Sequence, residues 1–198
     1  MNADQALSHV NTCLEASAVL RHHLAKECGK QIVEAAVLLE KCLSSGGKVL
    51  FCGNGGSAAD AQHLAAEFVG RFVRERCGLP AIALTTDSSI LTSIGNDYGF
   101  ERVVSRQVEA LGCPNDVAVG ITTSGNSPNI TAAMKEAAKR GLKTIGLTGR
   151  DGGELKKCVT LPIIVPSSNT ARIQECHITI GHLLCELVEE SMFGEKKA

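Results

Sequence analysis

No apolar run in this 198-residue chain approaches the roughly 18 residues that a membrane-spanning helix requires. Neither sign of charge is in excess: 20 Lys and Arg stand against 21 Asp and Glu, a net charge of −1. A basic face or tail for nucleic acid and a basic patch for anionic membranes are therefore excluded, and the expected partner is a small molecule. With 44% hydrophobic and 21% charged residues the composition is not that of a disordered chain. The opening stretch, MNADQALSHVNTCLEASAVL, has an acid at Asp4 and lacks the basic-then-apolar order of a secretory signal, so a cytoplasmic location is expected. Nine cysteines stand at 13, 28, 42, 52, 77, 113, 158, 176 and 185, an odd number without a CxxC pair or zinc-finger spacing. They read as reduced thiols, most of them small core residues. Internal repeats and low-complexity linkers are missing too, so residues 1–198 are expected to form one domain, with a helical arm over 1–45 and an α/β core over 46–198.

Between residues 3 and 45 there is no proline and one glycine, and apolar residues recur every three or four positions: Leu14, Val19, Leu20, Leu24, Ile32, Ala35, Ala36, Leu39 and Leu43. That period predicts one or two long helices. From Gly46 the pattern becomes short apolar runs, each followed by a turn and a helical stretch: KVLFC (48–52), AIAL (81–84), DVAVGIT (116–122), TIGLT (144–148) and TLPIIV (160–165). Nearly continuous Val, Ile and Leu marks strands buried on both faces, and helical spacers require parallel crossovers. The expected fold is a doubly wound, three-layer αβα sandwich with about five parallel strands. Helices are expected over 57–69, 87–95, 99–111, 128–140 and 170 to about 193. In such sheets ligands bind beyond the carboxyl ends of the strands, which directs attention to CGNGGSAAD, TTSGNSPN and TGRDGGE.

In the first of these, Gly53, Gly55 and Gly56 let the backbone approach a ligand, and Ser57 is placed to cap a helix whose amino end attracts an anion. A tight strand-to-helix turn explains the same residues, and neither GxGxxG nor GxxxxGK[ST] is present. In the second, Thr122, Thr123, Ser124 and Ser127 supply four hydroxyls around Gly125, with Pro128 suited to the first helical position. Hydroxyls and free N–H groups at a helix start cradle a phosphate; plain capping is the alternative. Without a P-loop lysine, such a site holds phosphate as a handle and does not transfer it. His63 and Glu67 stand at i and i+4, with Cβ atoms roughly 5–6 Å apart on a helix, either as a surface or core contact or as site residues. In RIQECHITIGH, Gln174 and His182 lie about 80° apart around a helix and border one cleft, while His177 falls to the other side and is as readily outside the site as in it.

The ordered segments GNGGSAADAQHLAAEFVGRF, IGNDYGF, DVAVGITTSGNSPN, LTGRDGG and ARIQECH resemble the sugar isomerase (SIS) domain family and, within it, the phosphoheptose isomerases. The resemblance runs over almost the whole chain. It implies a cytoplasmic homotetramer that converts sedoheptulose 7-phosphate to D-glycero-D-manno-heptose 7-phosphate, the first step toward the ADP-heptose of lipopolysaccharide cores. It implies one zinc per subunit held by His63, Glu67, Gln174 and His182. It implies substrate contacts from Asn54, Gly55, Gly56, Ser57, Glu67, Asn96, Asp97, Thr122, Thr123, Ser124, Ser127 and Gln174. Ala171 departs from members that carry Asp at that place. Isomerisation through a cis-enediol needs one group to move a proton between carbons and another between oxygens, and these roles fall to Glu67 as base and His182 as acid. The alternative is a non-catalytic adaptor resembling the DnaA initiator-associating protein, which shares the glycine turn and the ARIQE run but needs none of His63, Glu67 and His182.

Overall fold

A computed structural model describes residues 1–195. The arm is a single helix, α1 (Ala3–Ser44), capped at its start by the reciprocal pairing of Asn2 and Gln5. At 1.5 Å per residue its 42 residues span about 63 Å. Only its later part is buried, from Ser17 to Leu43, while Leu7, Val10 and Leu14 are exposed.

Five strands follow in alternation with helices: β1 (Val49–Gly53), α2 (Gly56–Val69), β2 (Ala81–Ala83), α3 (Ser88–Tyr98), α4 (Val103–Leu111), β3 (Val117–Ile121), α5 (Pro128–Lys139), β4 (Lys143–Gly149), β5 (Leu161–Val165) and α6 (Thr170–Phe193). All strand pairs are parallel, in the order β2-β1-β3-β4-β5. Successive side chains of a strand point to opposite faces, and here each face meets its own helices. Val49, Phe51, Val117, Val119, Ile121, Ile145 and Leu147 join the core built with α1, α2 and α6. Leu50, Cys52 and Ala118 join a second core with α4 and α5. This is the expected three-layer sandwich. Phe51 and Phe68 are buried with ring centroids 5.8 Å apart, and the partly buried Phe72 packs at the edge of the same core. Five of the nine thiols, Cys28, Cys42, Cys52, Cys176 and Cys185, are buried, and all nine are free.

In this strand order the chain leaves β1 in one direction and returns to β3 in the other, so the loops after β1 and β3 part at their carboxyl ends and open a crevice. The glycine turn and the hydroxyl-rich loop flank that crevice.

Candidate active site

Two helices supply the reactive side chains. They run side by side in the same direction, with contacts in register along their length. At the start, the Gln174 amide lies over Gly56, so close that a Cβ there would sit 1.9 Å from Nε2. Further on, Gly181 leaves room for Leu64, whose Cδ2 would stand 2.4 Å from any added Cβ. A residue with a side chain at 181 would push the helices apart, and its neighbour is His182. The close approach brings His63 Nε2 to 2.9 Å from His182 Nε2 and 3.3 Å from Glu67 Oε1. The expected i, i+4 pair therefore meets the expected residue of the last helix, 119 positions away. Phe72 covers the other side of His182, with ring centroids 5.5 Å apart.

Asp60 also belongs to this cluster, although its role was not evident in the sequence. One turn before His63, its buried Oδ2 has no hydrogen-bond partner among the described residues. Burial raises its pKa, partly offset by the nearby His63 and His182. The signal was its place three residues before His63, which carries meaning only once that face is known to line a site. Cys185 behaves differently: burial, reinforced by Glu67 and Glu189, pushes the thiol up to about 12, which removes it as a nucleophile.

The loop after β3 forms a compact set of hydroxyls. Thr122 Oγ1 lies 2.8 Å from Ser127 Oγ and 3.4 Å from Ser124 Oγ, and the loop is anchored to the segment after β4 by Leu155 N donating to Gly125 O at 2.9 Å and Glu154 N donating to Asn126 Oδ1 at 3.0 Å. Thr122 is buried, whereas Thr123, Ser124 and Ser127 are half-buried and face the opening of α5. Pro128 occupies the first helical position, as expected. Ser127 stands at the N-cap but makes no cap hydrogen bond, because its hydroxyl turns to Thr122.

The glycine turn departs from expectation in one respect. Gly55, at φ 54°, is the N-cap of α2, and Ser57 lies inside the helix, buried and without a capping bond. The turn closes instead through Ser57 N donating to Asn54 O at 2.9 Å. Asn54 is also committed elsewhere: its amide and that of Asn129 exchange two hydrogen bonds, 2.9 and 2.8 Å, joining the glycine turn to the first turn of α5. Asn129, buried, is a second residue that sequence reading missed, since its partner is 75 positions away. A crevice of about 160 Å³ lies beside this pair, lined in part by Gly53, Asn54, Gly55, Leu84, Phe100 and Asn129. A larger cleft of about 650 Å³ between α4 and α5, bordered by Arg102, Arg106, Lys139 and Arg140, contains none of the residues singled out above.

Two expected contacts stay apart. Asn96 and Asp97 lie at the exposed end of α3, where Asn96 Nδ2 donates to Asp97 Oδ1 at 2.8 Å, and they make no hydrogen bond to the His63–Glu67–His182 cluster. His177 is fully buried on the face of α6 turned to β4, with Nε2 donating to the Thr148 carbonyl at 3.1 Å, outside the cluster.

Among the described residues no group of three or more His, Cys, Asp or Glu stands ready-made around a metal. The two imidazole nitrogens share a hydrogen bond at 2.9 Å, closer than the roughly 3.3–3.4 Å that separates ligands at 2.0–2.1 Å on a tetrahedral zinc. The His63–Glu67 separation of 3.3 Å already matches that spacing. Two imidazoles and a carboxylate are donors suited to zinc, and a few tenths of an ångström of ring movement bring the nitrogens to ligand spacing; the Gln174 amide, packed over Gly56, makes no hydrogen bond to them.

The parallel 2-1-3-4-5 sheet, with a hydroxyl-lined loop at its switch point, is a doubly wound α/β fold, and the profile of the SIS domain family matches residues 14–149. The chain belongs to that family. A phosphoheptose isomerase of Roseiflexus sp. (strain RS-1) is 57% identical over 182 residues, covering 92% of each chain, and one of Aquifex aeolicus (strain VF5) is 56% identical over 93% of this chain and 96% of its own. The solved phosphoheptose isomerase of Neisseria gonorrhoeae superposes with a TM-score of 0.89 at 46% identity, covering 93% of this chain and 99% of that one. Within the SIS-domain family this chain belongs with the phosphoheptose isomerases.

Proposed function

We propose that this chain is the aldose–ketose isomerase that converts sedoheptulose 7-phosphate to D-glycero-D-manno-heptose 7-phosphate, the entry to ADP-heptose for lipopolysaccharide cores. The observation that carries the reading is the convergence on His63 of His182 at 2.9 Å and Glu67 at 3.3 Å, in a protein whose relatives named for the activity match it over nearly their whole length.

The substrate's phosphate lies on Thr122, Thr123, Ser124 and Ser127 and the amino end of α5, where hydroxyl and backbone donors hold it without a lysine. The glycine turn, Asn54 to Ser57, lies along the sugar chain. Glu67 takes a proton from the carbon beside the ketose carbonyl and returns it to the neighbouring carbon of the cis-enediol. His182 moves the matching proton between the two oxygens, and His63, hydrogen-bonded to it, orients its ring. His63, Glu67, Gln174 and His182 are the residues that would hold a zinc ion, which would supply Lewis-acid polarisation of the carbonyl. Asp60, with one carboxylate oxygen unpartnered and its pKa raised, steadies the imidazole pair.

The whole chain, 1–198, acts as one SIS domain in a cytoplasmic homotetramer. The described residues form no helix long and apolar enough to cross a membrane. The exposed Leu7, Val10 and Leu14 run as a stripe along α1, and α3, which carries Asn96 and Asp97, buries no residue in the single chain. No observation favours the adaptor reading, for which the clustered imidazoles and carboxylate have no use.

The test is an assay of purified protein with sedoheptulose 7-phosphate, following the aldoheptose by NMR, with metal counted and a chelated sample run in parallel. Product that vanishes with the chelator and returns with zinc supports the reading. No product from a folded, zinc-loaded tetramer sinks it.

A further inference from the structure

Beyond the reacting groups, α2 and α6 are tied by a charge pair buried on both sides. Arg76 and Glu189 meet at 2.9 Å with side-chain exposures of 1% and 3%. Such a pair is weak evidence for stability, because an apolar pair of similar volume commonly holds two helices as well. Its other partners are what set it apart.

Both terminal nitrogens of Arg76 turn to the backbone at and just beyond the carboxyl end of α2. Nη2 donates to the Glu67 carbonyl at 2.8 Å, and Nη1 donates to Phe68 O at 2.8 Å, Gly70 O at 3.1 Å and Cys77 O at 3.0 Å. The Glu67 and Phe68 carbonyls belong to the last turn of α2, where helix carbonyls lack intrahelical partners, and a cation there also complements the helix dipole. Glu189 in turn accepts from three consecutive backbone N–H groups, Phe72 at 2.7 Å, Val73 at 2.9 Å and Arg74 at 3.0 Å, so the chain wraps its carboxylate. Burial alone would raise this carboxyl's pKa; the three N–H donors and Arg76 outweigh it and hold the group down at about 2. The pair thus has two arms. One ends on the backbone of Glu67, and the other fixes Phe72, whose ring lies against the His182 imidazole.

We infer that the Arg76–Glu189 pair is a positioning device that holds Glu67 through its carbonyl and aims His182 through Phe72, setting the spacing between the two proton-carrying groups. The inference rests on the isomerase reading for what those groups do, but the geometry it asserts is testable without turnover. Lysine at 76 keeps the charge yet lacks the planar fork that reaches Glu189 and the Glu67 carbonyl together. Leucine at 72 keeps the backbone bonds to Glu189 and removes the ring.

The experiment compares Arg76→Lys, Phe72→Leu and wild type in two measurements. In the first, with zinc present, kcat is expected to fall roughly ten- to a hundredfold in both variants, the range that misplacement by about an ångström produces, while KM stays within about twofold because the phosphate loop is on other elements. In the second, NMR of 13C-labelled histidine follows the His182 ring signals, assigned with His182→Gln. Both variants are expected to shift them, while His9 on the exposed part of α1 stays in place. If the His182 signals do not move in folded Arg76→Lys and Phe72→Leu keeps kcat within twofold, the inference is overturned. Should Arg76→Lys not fold, Phe72→Leu alone decides on both readouts. A wild type without isomerase activity counts against the proposed function, and the ring signals then test the clamp by themselves.

Discussion

Acid should weaken this protein through one histidine that is not part of the reacting cluster. His177 is fully buried; its Nε2 is engaged by the Thr148 carbonyl and its Nδ1 has no partner among the described residues. Burial drives its pKa down from 6.5 to about 4, with the Thr148 contact opposing weakly. Below pH 6.5 the unfolded chain binds a proton that the folded chain refuses until about pH 4, so stability is fully present above 6.5 and is lost as pH falls between those values. At 1.36 kcal/mol per unit the full loss is about 3 kcal/mol, of which about 2 kcal/mol has gone by pH 5. Urea unfolding at fixed protein concentration, followed by far-UV circular dichroism at pH 7.5, 6.5, 5.5 and 5, measures it. His177→Leu should be less stable than wild type at pH 7.5, since the Thr148 carbonyl loses its donor, but its stability should change about 2 kcal/mol less on acidification. A variant with the same pH slope as wild type refutes the assignment. Glu189 adds a separate window at lower pH: with its pKa held at about 2 against an ordinary 4.5, its contribution is present above 4.5 and disappears as pH falls from there toward 2.

Glu67→Gln preserves size and removes the base, so turnover should vanish with fold and assembly intact; residual activity above about a tenth of wild type would sink the assigned role. Thr123→Ala combined with Ser124→Ala should chiefly raise KM, and an unchanged KM would place the phosphate elsewhere. Two glycines should respond in opposite ways. Gly56→Ala meets only the flexible end of Gln174, so the melting temperature should barely change while activity falls as the amide is displaced. Gly125→Ala meets the Gly152 carbonyl at 2.2 Å with φ at +69°, so it should cost stability as well, by on the order of 1–3 kcal/mol, read as a lower melting temperature.

Much of this molecule was legible in its sequence because the signals are local. The unbroken apolar runs at 49–53 and 117–121 could only be strands buried on both faces, and the proline-free first 44 residues could only be helical. Whether residues 3–44 formed one helix or two was not legible, since periodicity does not distinguish a continuous helix from two in line. The pairing of His63 with Glu67 follows from helical spacing alone. A serine after glycines fits the cap motif, whereas Gly55 at positive φ takes the N-cap and starts the helix two residues earlier than a cap at Ser57 would.

The remaining site residues depend on contacts between distant segments. Asn129 is a loop-following asparagine until the sheet order brings it to Asn54, and Asp60 is a helix-surface acid until α6 covers it. Gly181 has no meaning in a helical pattern except as a weak point, yet its missing side chain is what admits Leu64 and lets His182 reach His63. By itself the sequence determined the elements, their parallel order and the residue types of the chemistry, because helix period, strand burial and turn preference act over a few residues. The tertiary structure alone decided which imidazole faces which carboxylate and what holds them there, because those distances are set by the packing of α2 on α6 and by a buried charge pair 113 positions apart in the chain.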